Sequence, residues 1–236
     1  MPIPRTPTLA QRIRYRLVDF AAVHLLPAKT ANLIQCRRQG MWNDYFQDAE
    51  GKLDAEWQAI IWPLIKDFDF RFVLELSPGG GRNTQKLATV AKRIVAVDYN
   101  EYALEQTRAR LGPLSGNCEI TYCRNGGSDL AMVPDASVSA VYCWDSAVHF
   151  DRDVVIAYIG EFARVLEPGG YGFLHHSDLG DRAHKNIKRN PHWRSNVSKE
   201  LVAEACRRSG LAVKVQQPVP WPPIVDIATV FCRQAV

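Results

Sequence analysis

The chain lacks a CxxC pair, a long apolar run, internal repeats and any low-complexity tract. Each absence removes a class of protein. Its six cysteines, Cys36, Cys118, Cys123, Cys143, Cys206 and Cys232, do not pair at metal-ribbon or thioredoxin spacing, so neither motif is indicated. With 236 residues, 47% of them hydrophobic, the chain builds a sizeable core without disulfide staples. Scattered single thiols fit a reducing compartment, and the expected location is cytoplasmic. The most apolar early stretch, "LVDFAAVHLLPAK", is too short to span a bilayer and is interrupted by Asp19 and His24. No stable membrane insertion is expected. Arg5, Arg12, Arg14 and Arg16 precede it, which leaves two readings, an ordinary cap helix or a surface-binding or targeting helix. The net charge of +4 is modest, with acid and base mixed along the chain, so no nucleic-acid partner is demanded.

What is present divides at about residue 70. Residues 9 to 70 read as helical. Leu17, Phe20, Ala21, Val23 and His24 have near-helical spacing, and Trp57, Ile60, Ile61 and Leu64 share a stripe. Trp42, Tyr45 and Phe46 either close one side of a pocket or pack between helices. Beyond this, short apolar runs alternate with helical segments. "RFVLELS", "RIVAVDY", "CEITYCR", "VSAVYCWDS" and "GYGFLHHS" read as strands of a parallel sheet buried on both faces. "LAVKVQQ" and "IATVFCRQ" are joined by too few residues for a crossover helix, so they form an antiparallel pair. The expected fold class is α/β: a Rossmann-like doubly wound sheet of seven strands, mostly parallel, with an antiparallel C-terminal hairpin and an N-terminal helical cap. The expected division is a cap over residues 1–54 and an α/β domain over 55–236.

In such a sheet the ligand sits beyond the carboxyl ends of the strands. "LELSPGGGRNT" follows the first strand there, and Asp98 closes the second. Gly79, Gly80 and Gly81 let backbone approach a ligand closely. A carboxylate at Asp98 accepts hydrogen bonds from ribose hydroxyls. Gly79, Gly81 and Thr84 also approximate GxGxxG/A, so a dinucleotide enzyme fits, as does a glycine-rich turn with no ligand. Pro78 biases Ser77 towards extended backbone, so a glycine-only conformation is not expected at Ser77.

These motifs resemble the class I S-adenosylmethionine-dependent methyltransferases, over roughly residues 55 to 236. "VLELSPGGGRNT" is similar to the family's first motif, with Ser77 where a glycine is usual. "IVAVDYN" is similar to the second. "CRNGGSDLAMVPDASVSAVYCWDSAVHF" resembles the third and fourth, and "ARVLEPGGYGFLHH" is the most specific match. Within the family the chain looks like the type 11/25 methyltransferases of bacterial polysaccharide or secondary metabolism. The resemblance implies S-adenosyl-L-methionine as cofactor. It places Glu75, Ser77, Gly79, Gly81, Thr84, Asp98, Tyr99, Gly127, Ser128, Asp129 and Trp144 against that cofactor, with Asp98 on the ribose and Gly127 to Asp129 flanking the adenine. It also puts Asp145 at the head of the loop beside methyl transfer.

The protein's task in such a reaction is to align acceptor, methyl carbon and sulfur. A hydroxyl acceptor also needs a base. His149, His176 and Asp145 are the candidate catalytic residues. Adjacent strand residues face opposite ways, so only one of His175 and His176 reaches the pocket, and His176 is expected to be that one. His175 packs behind it or touches the acceptor. Asp145, His149, His176 and Asp178 form an alternative metal set, but catalysis without metal is the simpler expectation. The segment "HKNIKRNPHWRSN" carries His184, His192, Trp193 and Arg194. Trp193 would stack on an acceptor ring and Arg194 would clamp an anion. The expected partner is a small-molecule or carbohydrate acceptor, methylated at oxygen, and a homodimer is compatible with the chain. Competing readings are a nicotinamide-dependent oxidoreductase, a non-catalytic cofactor-binding subunit, and an RNA methyltransferase, the last lacking a (D/N)PPY motif. On the leading reading Gly79→Val abolishes binding of S-adenosylhomocysteine in a calorimetric titration, whereas Ser77→Gly barely changes it.

Overall fold

The computed structural model describes residues 53–183, 190 and 193–235. Nearly all of the expected cap lies outside these residues, as do Trp42, Tyr45, Phe46, His184 and His192. The seven expected strands are present: β1 (Phe72–Leu76), β2 (Arg93–Asp98), β4 (Cys118–Arg124), β5 (Val138–Cys143), β6 (Leu166–Ser177), β7 (Leu211–Trp221) and β8 (Ile224–Arg233). A two-residue strand, β3 (Leu114–Ser115), adds an eighth at the edge of the sheet. The order is β3-β4-β2-β1-β5-β6-β8-β7. β1, β2, β4, β5 and β6 run parallel, and β8 returns antiparallel between β6 and β7.

Among the described residues five helices lie along the sheet, beside two 3₁₀ turns. The first, α1, joins Leu53–Glu56, a π-helical turn Trp57–Ile61 and Trp62–Ile65. The others are α2 (Arg82–Leu87), α3 (Glu101–Leu111), α4 (Arg152–Val165) and α5 (Lys199–Arg208). Local chemistry sets their ends. Asn100 caps α3 by accepting from the Tyr102 N–H at 3.1 Å, and Ser198 caps α5 by accepting from the Leu201 N–H at 3.3 Å. Gly210, with φ of 76°, turns the chain out of α5 into β7.

Strand alternation divides the buried side chains between two cores, one on each face. Leu74, Leu76, Val95, Val97, Val141, Cys143 and Leu174 pack with α4 and α5. Val73, Ile94, Ala96, Ala140, Tyr142, Trp144, Phe173 and Ala228 pack with Trp57, Ile61 and Ile65 of α1. Burying each large side chain contributes about 1.5–3 kcal/mol. Val138 pairs with Leu166 but Ala140 pairs with Tyr171, so Pro168, Gly169 and Gly170 bulge from β6.

Gly172 of β6 lies directly opposite Phe231 of β8, whose ring covers it. A Cβ at Gly172 would enter the fully buried Phe231 ring. Gly172→Ala is therefore expected to destabilise the fold by about 2 kcal/mol. Urea unfolding checks this, and an unchanged midpoint contradicts it.

Candidate active site

Strand order reverses at β1, which has β2 on one side and β5 on the other. The loops after β1 and β5 leave this switch point in different directions and open a crevice between them. The first loop is residues 77–81, and α3 holds it from the side. The Thr107 hydroxyl donates to the Gly79 carbonyl at 2.8 Å, and Arg110 donates to the Gly80 carbonyl at 3.1 Å. A Cβ at Gly81 would come within 2.9 Å of Thr107 Cγ2. Gly79 and Gly81 have φ of 60° and 80°, where other residues are strained.

Ser77 also has a left-handed backbone, with φ of 58°. This corrects the expectation of an extended conformation. Tertiary bonds override the bias from Pro78. The Ser77 N–H donates to the Val97 carbonyl at 2.7 Å, and its own carbonyl accepts from the Ser146 hydroxyl at 3.4 Å. The chain must reverse at the tip of β1 to make both.

Two carboxyls sit under this loop. Asp98, at the end of β2, is buried, and burial pushes its pKa up to about 6 against the N–H groups of Asn100, Gly79 and Tyr99. Glu75, on β1, is buried more deeply. Burial pushes it up to about 8, with the Thr84 hydroxyl opposing and the Asp98 charge assisting. Among the described residues its Oε2 has no hydrogen-bond partner, and neither does Asn83 Oδ1. Tyr142, the register neighbour of Glu75 on β5, buries a hydroxyl that is also without a partner among the described residues. Buried polar atoms left open beneath a glycine loop mark a place where a polar ligand can bind.

On the far side of Asp98, the loop after β4 approaches β2. The Asn125 N–H donates to the Asp98 carbonyl, and the Asn125 side chain donates to the Asp129 carbonyl and the Tyr158 hydroxyl. Gly127, with φ of 97°, lies against the Tyr99 ring, which a Cβ there would approach within 3.2 Å. Asp129 spends its carboxylate on its own turn, accepting from the Gly126 N–H at 2.8 Å. Ser128 stands half-buried between them. Asn125, Thr107 and Arg110 escape sequence reasoning, because nothing in their local patterns marks a loop clamp.

The second loop starts at Trp144. Its ring stacks on Phe173 and His175, and its indole N–H donates to Glu56 Oε2 at 3.2 Å. Asp145 follows in left-handed backbone with φ of 59°. Its carboxylate takes Arg82 at 3.0 Å, and Arg82 also reaches Glu56 at 3.5 Å. The 3₁₀ turn Ala147–His149 then presents a half-buried His149. His149 Nδ1 lies 3.0 Å from the carbonyl of Trp193, itself at φ of 51°.

The β6 histidines reverse the expected assignment. His176 shares the face of Leu174 and the α4–α5 core, not that of Trp144. It is fully buried, with Nδ1 at 2.8 Å from the Ser177 carbonyl and Nε2 at 2.7 Å from the Thr229 hydroxyl. Burial pushes its pKa down to about 4. His175 shares the face of Phe173 and meets the β5 loop, accepting from the Asp145 N–H at 3.2 Å. Arg194 is corrected too. It is buried and committed to Asp226, with its Nε 2.9 Å and its terminal nitrogen 2.7 Å from Oδ2, so it is not an exposed clamp. Trp193 stays half-buried at the start of this segment. Among the described residues no group of three or more His, Cys, Asp or Glu is arranged to hold a metal ion. The set of Asp145, His149, His176 and Asp178 is therefore not assembled as a metal site.

Comparison with known proteins agrees with this geometry. Residues 73–170 match the family described as "Methyltransferase domain". Phosphoethanolamine N-methyltransferase 1 of Triticum aestivum is 28% identical over 144 residues, covering 60% of this chain and 28% of that protein, so the match spans little more than a quarter of the relative. An S-adenosylmethionine-dependent methyltransferase from Mesorhizobium loti superposes with a TM-score of 0.62 at 18% identity, over 77% of this chain and 100% of that one. Magnesium protoporphyrin IX methyltransferase from Synechocystis, solved with S-adenosylhomocysteine bound, superposes at 0.60 and 11% identity, over 93% and 95% of the two chains. Residues 73–170 thus match a methyltransferase domain, and the chain shares the fold of solved S-adenosylmethionine-dependent methyltransferases. A nicotinamide-dependent oxidoreductase is not favoured.

Two outcomes follow. Left-handed backbone costs a non-glycine residue about 1–2 kcal/mol, and glycine loses about 0.5–1 kcal/mol more entropy on folding. Ser77→Gly is therefore expected to stabilise the fold by up to about 1 kcal/mol, with a matching rise in Tm, and a fall would contradict the conformation. The second concerns pH. Glu75 holds its proton up to about 8 when folded and releases it near its ordinary 4.5 when unfolded. The folded state thus binds the extra proton, and stability falls as pH rises between these values. Asp98 adds the same sign between 3.8 and about 6. Thermal melts from pH 5 to pH 8 should show a shallower decline in Glu75→Gln than in the unaltered protein, and parallel declines would refute the assignment.

Proposed function

We propose that the chain transfers the methyl group of S-adenosylmethionine to a hydroxyl of a small-molecule or glycan-like acceptor, with His149 as general base. The cofactor supplies the methyl group as an activated sulfonium. Asp98 would hold its ribose, Gly79 and Gly81 would let the backbone cross it closely, and the Glu75 carboxyl would face its amino-acid end. Tyr99, Gly127, Ser128 and Asp129 would frame the adenine, and Ser77, Thr84 and Trp144 would line the space between. Residues 1–54 are proposed to cap the site, where Glu56 on α1 already meets Arg82 and Trp144.

The hydrogen bond from His149 to the Trp193 carbonyl carries this reading. A carbonyl only accepts, so the proton sits on Nδ1 and Nε2 is the basic nitrogen. The bond fixes both tautomer and ring orientation at the carboxyl end of β5, where Asp145 begins the loop. His176 is not part of the proposal, because both its ring nitrogens are committed inside the fold.

A second reading, methylation of an amine, has one observation in its favour. Glu56 and Asp145 place two carboxylates around the single guanidinium of Arg82, which suits a cationic acceptor. The named acceptor of the wheat relative also carries an amine. An amine held there as its cation would give its proton to one of those carboxylates rather than to His149, so one variant separates the readings. His149→Ala is expected to keep S-adenosylhomocysteine affinity and lose about 100-fold or more in turnover on a hydroxyl acceptor found by screening. Turnover retained on an amine acceptor would favour the second reading.

A further inference from the structure

Two non-glycine residues beside His149 hold left-handed backbone: Asp145, four positions before it, and Trp193, whose carbonyl orients its ring. Such conformations persist only where the surroundings over-determine them, and they cluster at working sites. Both are linked, each through one neighbour, to a single side chain on β8, the strand beside β6. Asp226 of β8 is fully buried. On one side its carboxylate grips Arg194, the residue after Trp193, with Nε at 3.2 Å from Oδ1 and 2.9 Å from Oδ2. Trp221 covers the guanidinium at 5.2 Å. The Asn190 side chain holds the Arg194 backbone from both ends, at 2.9 Å and 2.7 Å. On the other side, Asp226 Oδ2 stands 3.6 Å from His175 Nε2. His175 Nδ1 accepts from the Asp145 N–H, so the ring proton is on Nε2 and faces the carboxylate. Burial, then the Arg194 charge, pushes the His175 pKa down and keeps the ring neutral.

We infer that Asp226 is a positioning residue for methyl transfer: through His175 it sets the backbone of Asp145, and through Arg194 it sets the carbonyl that orients His149. It touches no reacting group and works by holding two strained residues in register. This rests on the proposed base role of His149, and the two ideas fail separately.

The test uses the full chain and long-range proton–nitrogen NMR of the histidine rings, with S-adenosylhomocysteine as the binding probe. In the unaltered protein His175 should carry its proton on Nε2 and His149 on Nδ1; the opposite tautomer at either ring overturns the inference. Asp226→Asn strands the buried Arg194 charge and risks unfolding, so Asp226→Leu combined with Arg194→Met, which removes both charges at similar volume, is measured beside it. In a folded variant the His149 tautomer should become mixed, while S-adenosylhomocysteine affinity stays within about threefold. Turnover on a screened acceptor should fall by about 100-fold with little change in KM. A His149 spectrum that does not change in the folded variant overturns the inference even if His149→Ala is inactive. Loss of cofactor affinity in parallel with turnover would reduce Asp226 to a structural role and overturn it as well. An active His149→Ala removes the base assignment and leaves the tautomer result to be judged alone.

Discussion

The branching of the sheet at β1 is the constraint on which the site depends. From β1 the sheet is built outward through β2 on one side and, from β5, through β6 on the other, so the loops after β1 and β5 part. Much of the proposed site hangs on those loops. The first reverses over the tip of β1 through Ser77, Gly79 and Gly81, all left-handed, and the second reverses through Asp145. The Ser146 hydroxyl joins the two at the Ser77 carbonyl. Arg82, beside the first loop, joins them again at Asp145. The crevice is therefore braced on both walls before any ligand arrives, which is the preorganisation methyl transfer needs.

The same constraint explains the unusual density of buried polar groups at the strand ends. Glu75, Asp98, Tyr142, His175 and Asp226 are all buried, and apolar side chains of similar size would cost less. They fall into two sets. Glu75, Asp98 and Tyr142 stand on β1, β2 and β5, and Glu75 and Tyr142 keep atoms without partners among the described residues. Arg194 is paired with Asp226 and His175 stands against the same carboxylate, because a buried charge left alone is strongly destabilising. The first set is arranged for something that arrives, and the second for something that must not move.

Much of this was legible in the sequence. Apolar runs at strand length, glycine at helix ends and a short link between the last two strands define the sheet and its antiparallel close. The loop at 77–81 and the acid at Asp98 identify the crevice. The misreadings share a cause: local pattern does not report tertiary partners. Pro78 biases Ser77 locally, but hydrogen bonds to Val97 and Ser146 override that bias. The period of two along β6 says that His175 and His176 face opposite ways; only the packing of Phe173 against Trp144 says which way each faces. Arg194 reads as an anion clamp until Asp226, thirty-two positions away, is seen beside it. Thr107 and Arg110 lie within an ordinary helix, and their role appears only once that helix is laid against the loop.

The measurement closest to the central claim is calorimetric titration of the full chain with S-adenosylhomocysteine and, separately, with NAD. The account predicts saturable binding of S-adenosylhomocysteine, weakened at least about tenfold in Asp98→Ala through loss of the buried charge-assisted bonds, and no binding of NAD. Binding of NAD with no response to S-adenosylhomocysteine would contradict it.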